Sequence, residues 1–299
     1  MEKISFYDQI SKNKRDSVLL GILVFSFLIG LVYIISVILT PGFSFGFLTF
    51  AGIFIILYSY ASYSYGDKVV LAATRAKEIS EDDRRYVHLN DVVEGLAIAA
   101  GIPKPKIYII DSEEMNAFAT GKNPQHASIA VTTGLLENLK RDELEGVIGH
   151  EMSHIRNYDI RFATYIAVLV GLVAILSDLL MRSFWYGGRR NRDEEKGFGL
   201  LIIVGLILAI FAPIIVRLVQ FAVSRRREFL ADASSAELTR YPEGLASALE
   251  KIMKVNEGKM KVSEAVSHLF FVDPKRSALD SLYATHPPIK ERIKILRSM

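Results

Sequence analysis

The sequence predicts an α-helical membrane protein that carries an α+β domain, with a small sheet placed ahead of one distinctive helix. Three observations predict it. Four apolar runs, near residues 18–40, 43–61, 162–181 and 198–223, have lengths that suit a lipid bilayer. Between the second and third runs the composition turns to that of a soluble domain with three short β-rich segments. After those segments, a stretch of helical periodicity contains His150-Glu151-Met152-Ser153-His154. The hydrophobic content of the 299-residue chain, 51 %, agrees with membrane spans. A net charge of +3, with no dense basic patch apart from membrane-flanking positions, argues against a nucleic-acid partner. The chain has no cysteine. Disulfides and thiolate sites are therefore excluded, and any metal must be held by His, Asp or Glu.

The elements follow in order. Residues 1–16 form a polar tail with Lys3, Lys12, Lys14 and Arg15. Val18 to Thr40 is long enough for about 30 Å of helix, and no small-x-small cleavage pattern follows it, so it reads as an uncleaved span. Pro41-Gly42 makes an uncharged turn. Phe43 to about Ala61 returns the chain, completing a transmembrane hairpin over 17–62, and Ser62 to Thr74 is a polar-aromatic exit. Residues 63–158 form the soluble domain. Asp82 to Ala100 has amphipathic spacing, with Gly101 as its stop. Lys106–Ile110, Asn116–Thr120 and Ala127–Thr132 read as strands, separated by a turn at Asp111–Glu114 and a Gly121–Pro124 connection.

The helix that follows carries the chemistry. Two histidines four residues apart lie one turn apart on the same face, about 6 Å along the axis. Both imidazoles can then ligate one ion, with Zn²⁺ the usual choice. Glu151 follows the first ligand directly, so its carboxylate can act as general base on a water at the ion's open position. Asp142, Glu143 and Glu145 put negative charge at the N-terminal end, where the helix dipole favours it. A sheet followed by such a helix is a zincin-like arrangement.

Between Ser153 and Tyr165 there is no Gly or Pro, which predicts that this helix runs straight into the third apolar run. Residues 159–223 read as a hydrophobic hairpin, two transmembrane helices joined by the charged loop Arg182–Lys196, with Pro213 a kink. Asp178 and Arg217 lie near segment ends, where they can snorkel to the interface. Residues 224–299 return to polar helical composition. There Glu228 and Asp232 stand at i and i+4. A catalytic zinc takes three protein ligands, so Glu228 can be the third, and Asp232 can accept the free N–H of a ligand histidine.

Taken with Asn116-Ala117-Phe118-Ala119-Thr120-Gly121 and Thr285-His286-Pro287-Pro288, these motifs resemble the HtpX family of membrane-bound zinc metalloproteases. That family is of the gluzincin type and distantly similar to CaaX prenyl proteases, and the likeness extends over nearly the whole chain. The resemblance implies one Zn²⁺ per subunit on His150, His154 and Glu228, with Glu151 as base and Asp232 as the supporting carboxylate. It implies that Asn116, Ala117 and Phe118 form a substrate-binding edge to which an extended peptide adds as a strand. It implies that His286 helps to stabilise the oxyanion. The expected substrates are misfolded or damaged membrane proteins and unfolded polypeptides, and a homo-oligomer is left open. Residues 182–197 and 254–280 match no motif.

Topology follows from charge and connectivity. His154 and Glu228 can meet on one ion only if the chain between them crosses the bilayer an even number of times. The turn at Pro41 carries no Lys or Arg, whereas the tail and soluble domain carry many, so the site is expected on the cytoplasmic face of a multi-pass protein of the cell (inner) membrane. The motif lies among Arg141, Asp142, Glu143, Glu145, Arg156 and Asp159, which argues against an intramembrane-cleaving protease. An intact Glu151 argues against a silent scaffold.

Overall fold

The computed structural model describes residues 45–80, 83–165, 225–258, 262–272 and 287–299, with a few single residues beside them. The expected fourth span, nearly all of the first, most of the third, and His286 lie outside the described residues. The first described element, α1 (Phe45–Ala73), is a 29-residue helix. The expected polar exit, Ser62 to Thr74, is thus helical as far as Ala73, because its Ser, Tyr and Ala residues include no Gly-Pro punctuation strong enough to stop the helix. Among the described residues no helix is both long and apolar enough to cross a membrane. In α1 the apolar character ends near Leu57, and the remaining turns carry tyrosines, serines, Asp67 and Lys68.

A four-stranded sheet follows, with strands β1 (Lys77–Glu78), β2 (Lys106–Ile110), β3 (Ala117–Gly121) and β4 (Ala127–Thr132) in the order β1-β2-β4-β3. β2 and β4 are parallel, and both edge strands run antiparallel to their neighbours. The sequence anticipates the three longer strands, with β3 shifted by one residue. β1 escapes it because two exposed, charged residues carry no period-2 signal. α2 (Val87–Ala100) starts five residues later than expected: Asp83 accepts the Arg85 backbone N–H at 3.1 Å and winds the chain first into a tight turn at Arg84–Tyr86. Gly101, at φ 66°, closes it in the left-handed conformation that Gly tolerates.

Both faces of the sheet are covered, and alternation along the strands assigns the residues. Ile107, Ile109, Ala117, Ala119, Ile129 and Val131 face the main core, which α2 supplies with Leu89, Val92, Val93 and Leu96. Ile110, Phe118 and Ala130 face the other way, onto Val70 and Leu71 of α1 and onto Val266, Leu269 and Phe270. After a short helix α3 (Thr133–Asn138) comes α4 (Arg141–Arg156), which packs against α2, β3, α5 (Arg225–Thr239) and α6 (Pro242–Val255). The Lys140 backbone N–H donates to Glu143 Oε2 at 2.7 Å, satisfying one orphan donor at the α4 N-terminus. A short α7 (Glu264–Ser267) and a C-terminal α8 (Ile289–Leu296) complete the described elements.

Two glycines let the helices meet. A Cβ at Gly146 would lie 2.6 Å from the Leu245 backbone nitrogen of α6, and one at Gly149 would lie 2.9 Å from Ser235 Oγ of α5. Ser235 Oγ also donates to the Gly146 carbonyl at 2.6 Å. This close approach brings α5 to the ligand-bearing face of α4. Contrary to the sequence expectation, α4 does not continue into the following run. Asn157 caps it and Tyr158 takes φ 62°, after which residues 159–165 are helical again. The break turns Asp159 back toward His154, a position that a straight helix would point about 140° away from it.

Candidate metal centre

His150, Glu151 and His154 come from the middle and last turns of α4, and Glu228 and Asp232 come from α5. His150, His154 and Glu228 form a group whose ligating atoms all lie within 4.8 Å of one another. The two Nε2 atoms face each other at 3.1 Å. Glu228 spans both imidazoles, with Oε2 3.6 Å from His150 Nε2 and Oε1 3.5 Å from His154 Nε2. In a tetrahedron with metal–ligand bonds near 2.05 Å, neighbouring donors are about 3.3 Å apart. Separations of 3.1–3.6 Å therefore fit one four-coordinate ion, and the nitrogen–oxygen donor set suits zinc.

The other nitrogen of each histidine is held by a carboxylate. His150 Nδ1 lies 2.9 Å from Asp232 Oδ1, and His154 Nδ1 lies 3.0 Å from Asp159 Oδ2. Nδ1 donating to a carboxylate leaves Nε2 as the lone-pair nitrogen turned to the centre. Asp232 is itself gripped by the buried Arg292, whose Nε donates to Oδ2 at 2.8 Å and whose Nη2 donates to Oδ1 at 2.6 Å. Burial pushes Asp232 up, but Arg292 and His150 outweigh it and hold the carboxyl below its usual range. Burial pushes the His150 imidazole down to about 4, with the Arg292 charge adding to the effect. His154 goes the other way, to about 9: burial opposes its charge, but the Asp159 bond and the Glu228 charge prevail. Burial pushes Glu151 up to about 7, helped by Glu228.

Glu151, His150, His154 and Glu228 line one cleft of about 480 Å³ together with Ala119, Asp159, Arg227 and residues 268–271. The backbone N–H of Ala119 faces the Glu151 carboxylate. Phe271 stacks edge-on against the His150 ring at 4.8 Å, and the Arg292 guanidinium lies over Phe271. Of the residues named for the peptide edge, none lines this cleft. The Asn116 side chain donates to the Val272 carbonyl at 2.7 Å and accepts from the Val272 N–H. The Ala117 carbonyl accepts from the Phe271 N–H at 2.8 Å, and Phe118 is buried against Phe270. Along β3 it is Ala119 that faces the cleft.

Asp159, Arg292, Phe271 and Ala119 were not anticipated. Asp159 stands five residues after His154, off the face that helical spacing would inspect. Arg292 follows the Thr-His-Pro-Pro run closely, but a basic residue on a short amphipathic helix gives no sign of burial.

Fold and donor set together define a metallopeptidase. A sequence profile described as peptidase family M48 matches residues 83–299. A protease HtpX homolog from Caldanaerobacter subterraneus subsp. tengcongensis is 44 % identical over 304 residues, covering 100 % of this chain and 99 % of the relative. Another, from Dictyoglomus thermophilum, is 46 % identical over 300 residues, covering 100 % and 96 %. The chain belongs to peptidase family M48, among its HtpX proteases. Among solved structures, Ste24p of S. mikatae is similar to this chain at 20 % identity, with a TM-score of 0.49 and coverage of 93 % of this chain and 65 % of that one.

Proposed function

We propose that the protein is a membrane-anchored, zinc-dependent endopeptidase with its site at the cytoplasmic face, acting on misfolded or damaged membrane proteins. The observation that carries the enzymatic part is the donor group His150, His154 and Glu228, at 3.1–3.6 Å, in one cleft with Glu151. When bound, zinc supplies Lewis acidity, acidifying water and polarising the scissile carbonyl. Glu151 takes the proton from the attacking water and hands it to the leaving amine, with its carboxylate oriented by the Ala119 N–H. Asp232 and Asp159 hold the two histidines in register, and Arg292 holds Asp232. An extended peptide lies alongside β3 at Ala119, since the Asn116 and Ala117 bonding groups are engaged by Phe271 and Val272. The anchoring part is supported by Ile53, Ile56, Leu57 and Tyr60, which are 53–68 % exposed at i, i+3, i+4 and i+7 on α1. Such a stripe wants lipid rather than water.

The test is metal content together with casein cleavage by the purified protein. One zinc per chain and chelator-sensitive cleavage are expected. Glu151→Gln should keep the zinc and lose cleavage by about 10²–10⁴-fold. Cleavage near the parent rate in that variant removes Glu151 from the role.

A further inference from the structure

A shallow surface cleft lies where α1, the end of β3 and the helical residues 159–165 meet. Ser62, Tyr63, Asp67, Lys122, Arg161 and Thr164 are among its walls. Gly66 lets the elements come this close, since a Cβ there would lie 3.1 Å from Thr164 Cγ2. Thr164 Oγ1 accepts the Gly121 N–H at 3.2 Å and bonds Thr120 Oγ1 at 2.8 Å, tying the end of β3 just before Lys122 to the helical turn that follows Arg161. Both cations converge on one ring. The Arg161 guanidinium carbon is 5.1 Å, and Lys122 Nζ 5.9 Å, from the Tyr63 centroid. Among the described residues neither cation forms a salt bridge. Asp67 on the same wall offsets one of the two charges, so the cleft keeps a net positive charge.

Its position along α1 identifies the anion. Tyr63 lies seven residues, about 10 Å, beyond Ile56 on the same face. It therefore continues the exposed stripe of Ile53, Ile56, Leu57 and Tyr60 at the point where the apolar residues end. Exposed tyrosines with basic partners mark the level of lipid headgroups, and Lys68 over the Tyr65 ring at 5.3 Å gives a second such pair two residues further along α1. We propose that this cleft holds the phosphate of an anionic phospholipid headgroup. The proposal rests on the membrane anchoring argued above. The phosphate sits between Lys122 and Arg161, with the acyl chains running along the α1 stripe. The site lies one residue beyond the end of β3, so the lipid would also brace the strand that carries Ala119.

The test is native mass spectrometry of the full-length protein after incubation with vesicles of equal parts phosphatidylglycerol and phosphatidylcholine. The parent protein should retain phosphatidylglycerol in preference. Neutralising each cation near an anionic surface weakens attraction about fivefold, so Lys122→Gln with Arg161→Gln should lose about thirtyfold. The charge-keeping pair Lys122→Arg and Arg161→Lys should retain the preference, and the single neutral variants carry the test where the double variant melts early. No preference in the parent, or one that survives the double neutral variant, overturns the assignment. Inorganic phosphate displacing the lipid at equal concentration would make this a free-anion site and overturns it too. Carbonate washing of membranes separates the two layers of the argument. Protein that washes off refutes the anchoring, whereas protein that stays embedded without headgroup preference refutes only this site.

Discussion

Gly146→Ala tests the helix contact on which the centre is built, because the contact sets the sign of the effect. In an open helix, Gly→Ala stabilises by about 1 kcal/mol through backbone entropy. At Gly146 the new Cβ would stand 2.6 Å from the Leu245 nitrogen, 2.7 Å from its Cα and 3.0 Å from its Cβ. Two of these three atoms are backbone, so no rotamer change relieves the clash, and α6 must move by nearly 1 Å relative to α4. Overpacking costs about 1–3 kcal/mol, and with unyielding backbone as the obstacle the cost falls in the upper part of that range, about 2–3 kcal/mol. Subtracting the helix gain leaves a net loss of about 1–2 kcal/mol, or a melting midpoint lowered by about 2–8 °C. Gly95 in α2 is the control, since nothing lies within 4 Å of a Cβ there. Gly95→Ala should raise the midpoint by about 2–4 °C. The assay is thermal unfolding of the purified protein in one detergent for all three forms. A Gly146→Ala protein as stable as the parent, with Gly95→Ala behaving as expected, would refute the close packing of α4 on α6.

The remaining predictions concern the centre. Glu228→Ala should lose most bound zinc while the exposed Glu237→Ala keeps it, measured as metal per chain; the reverse result means that the wrong carboxylate has been assigned. Asp159→Asn should weaken zinc binding by about 10–100-fold in a competition titration, as removal of a histidine's supporting carboxylate does; unchanged affinity would leave the His154–Asp159 bond without a role. Arg292→Met should destabilise the fold by about 3–5 kcal/mol, because it leaves the Asp232 carboxylate buried without its guanidinium fork. Denaturant midpoints check this, and a loss under about 1 kcal/mol would mean that Asp232 is reached by water or another cation.

What the sequence determines by itself is whatever depends on neighbours along the chain. His150 and His154 are legible because an α-helix places residues four apart on one face whatever surrounds it, and the three longer strands are legible because their apolar runs are bounded by Gly, Pro and Asn. Glu228 and Asp232 are legible as a pair by the same spacing, though their meeting with α4 depends on Gly146 and Gly149, whose purpose shows only once α5 and α6 are packed against them. Asp159 could not be read, because its approach to His154 exists only where Tyr158 breaks the helix. The engagement of Asn116 and Ala117 cannot be read either, because residues 271 and 272 return from more than 150 positions away to bond them. Arg292 is the clearest case. It is a basic side chain on a short surface-like helix, and only the tertiary fold makes it a buried counter-ion to Asp232, since desolvation and charge pairing depend on what surrounds a group in space and not on what precedes it in the chain.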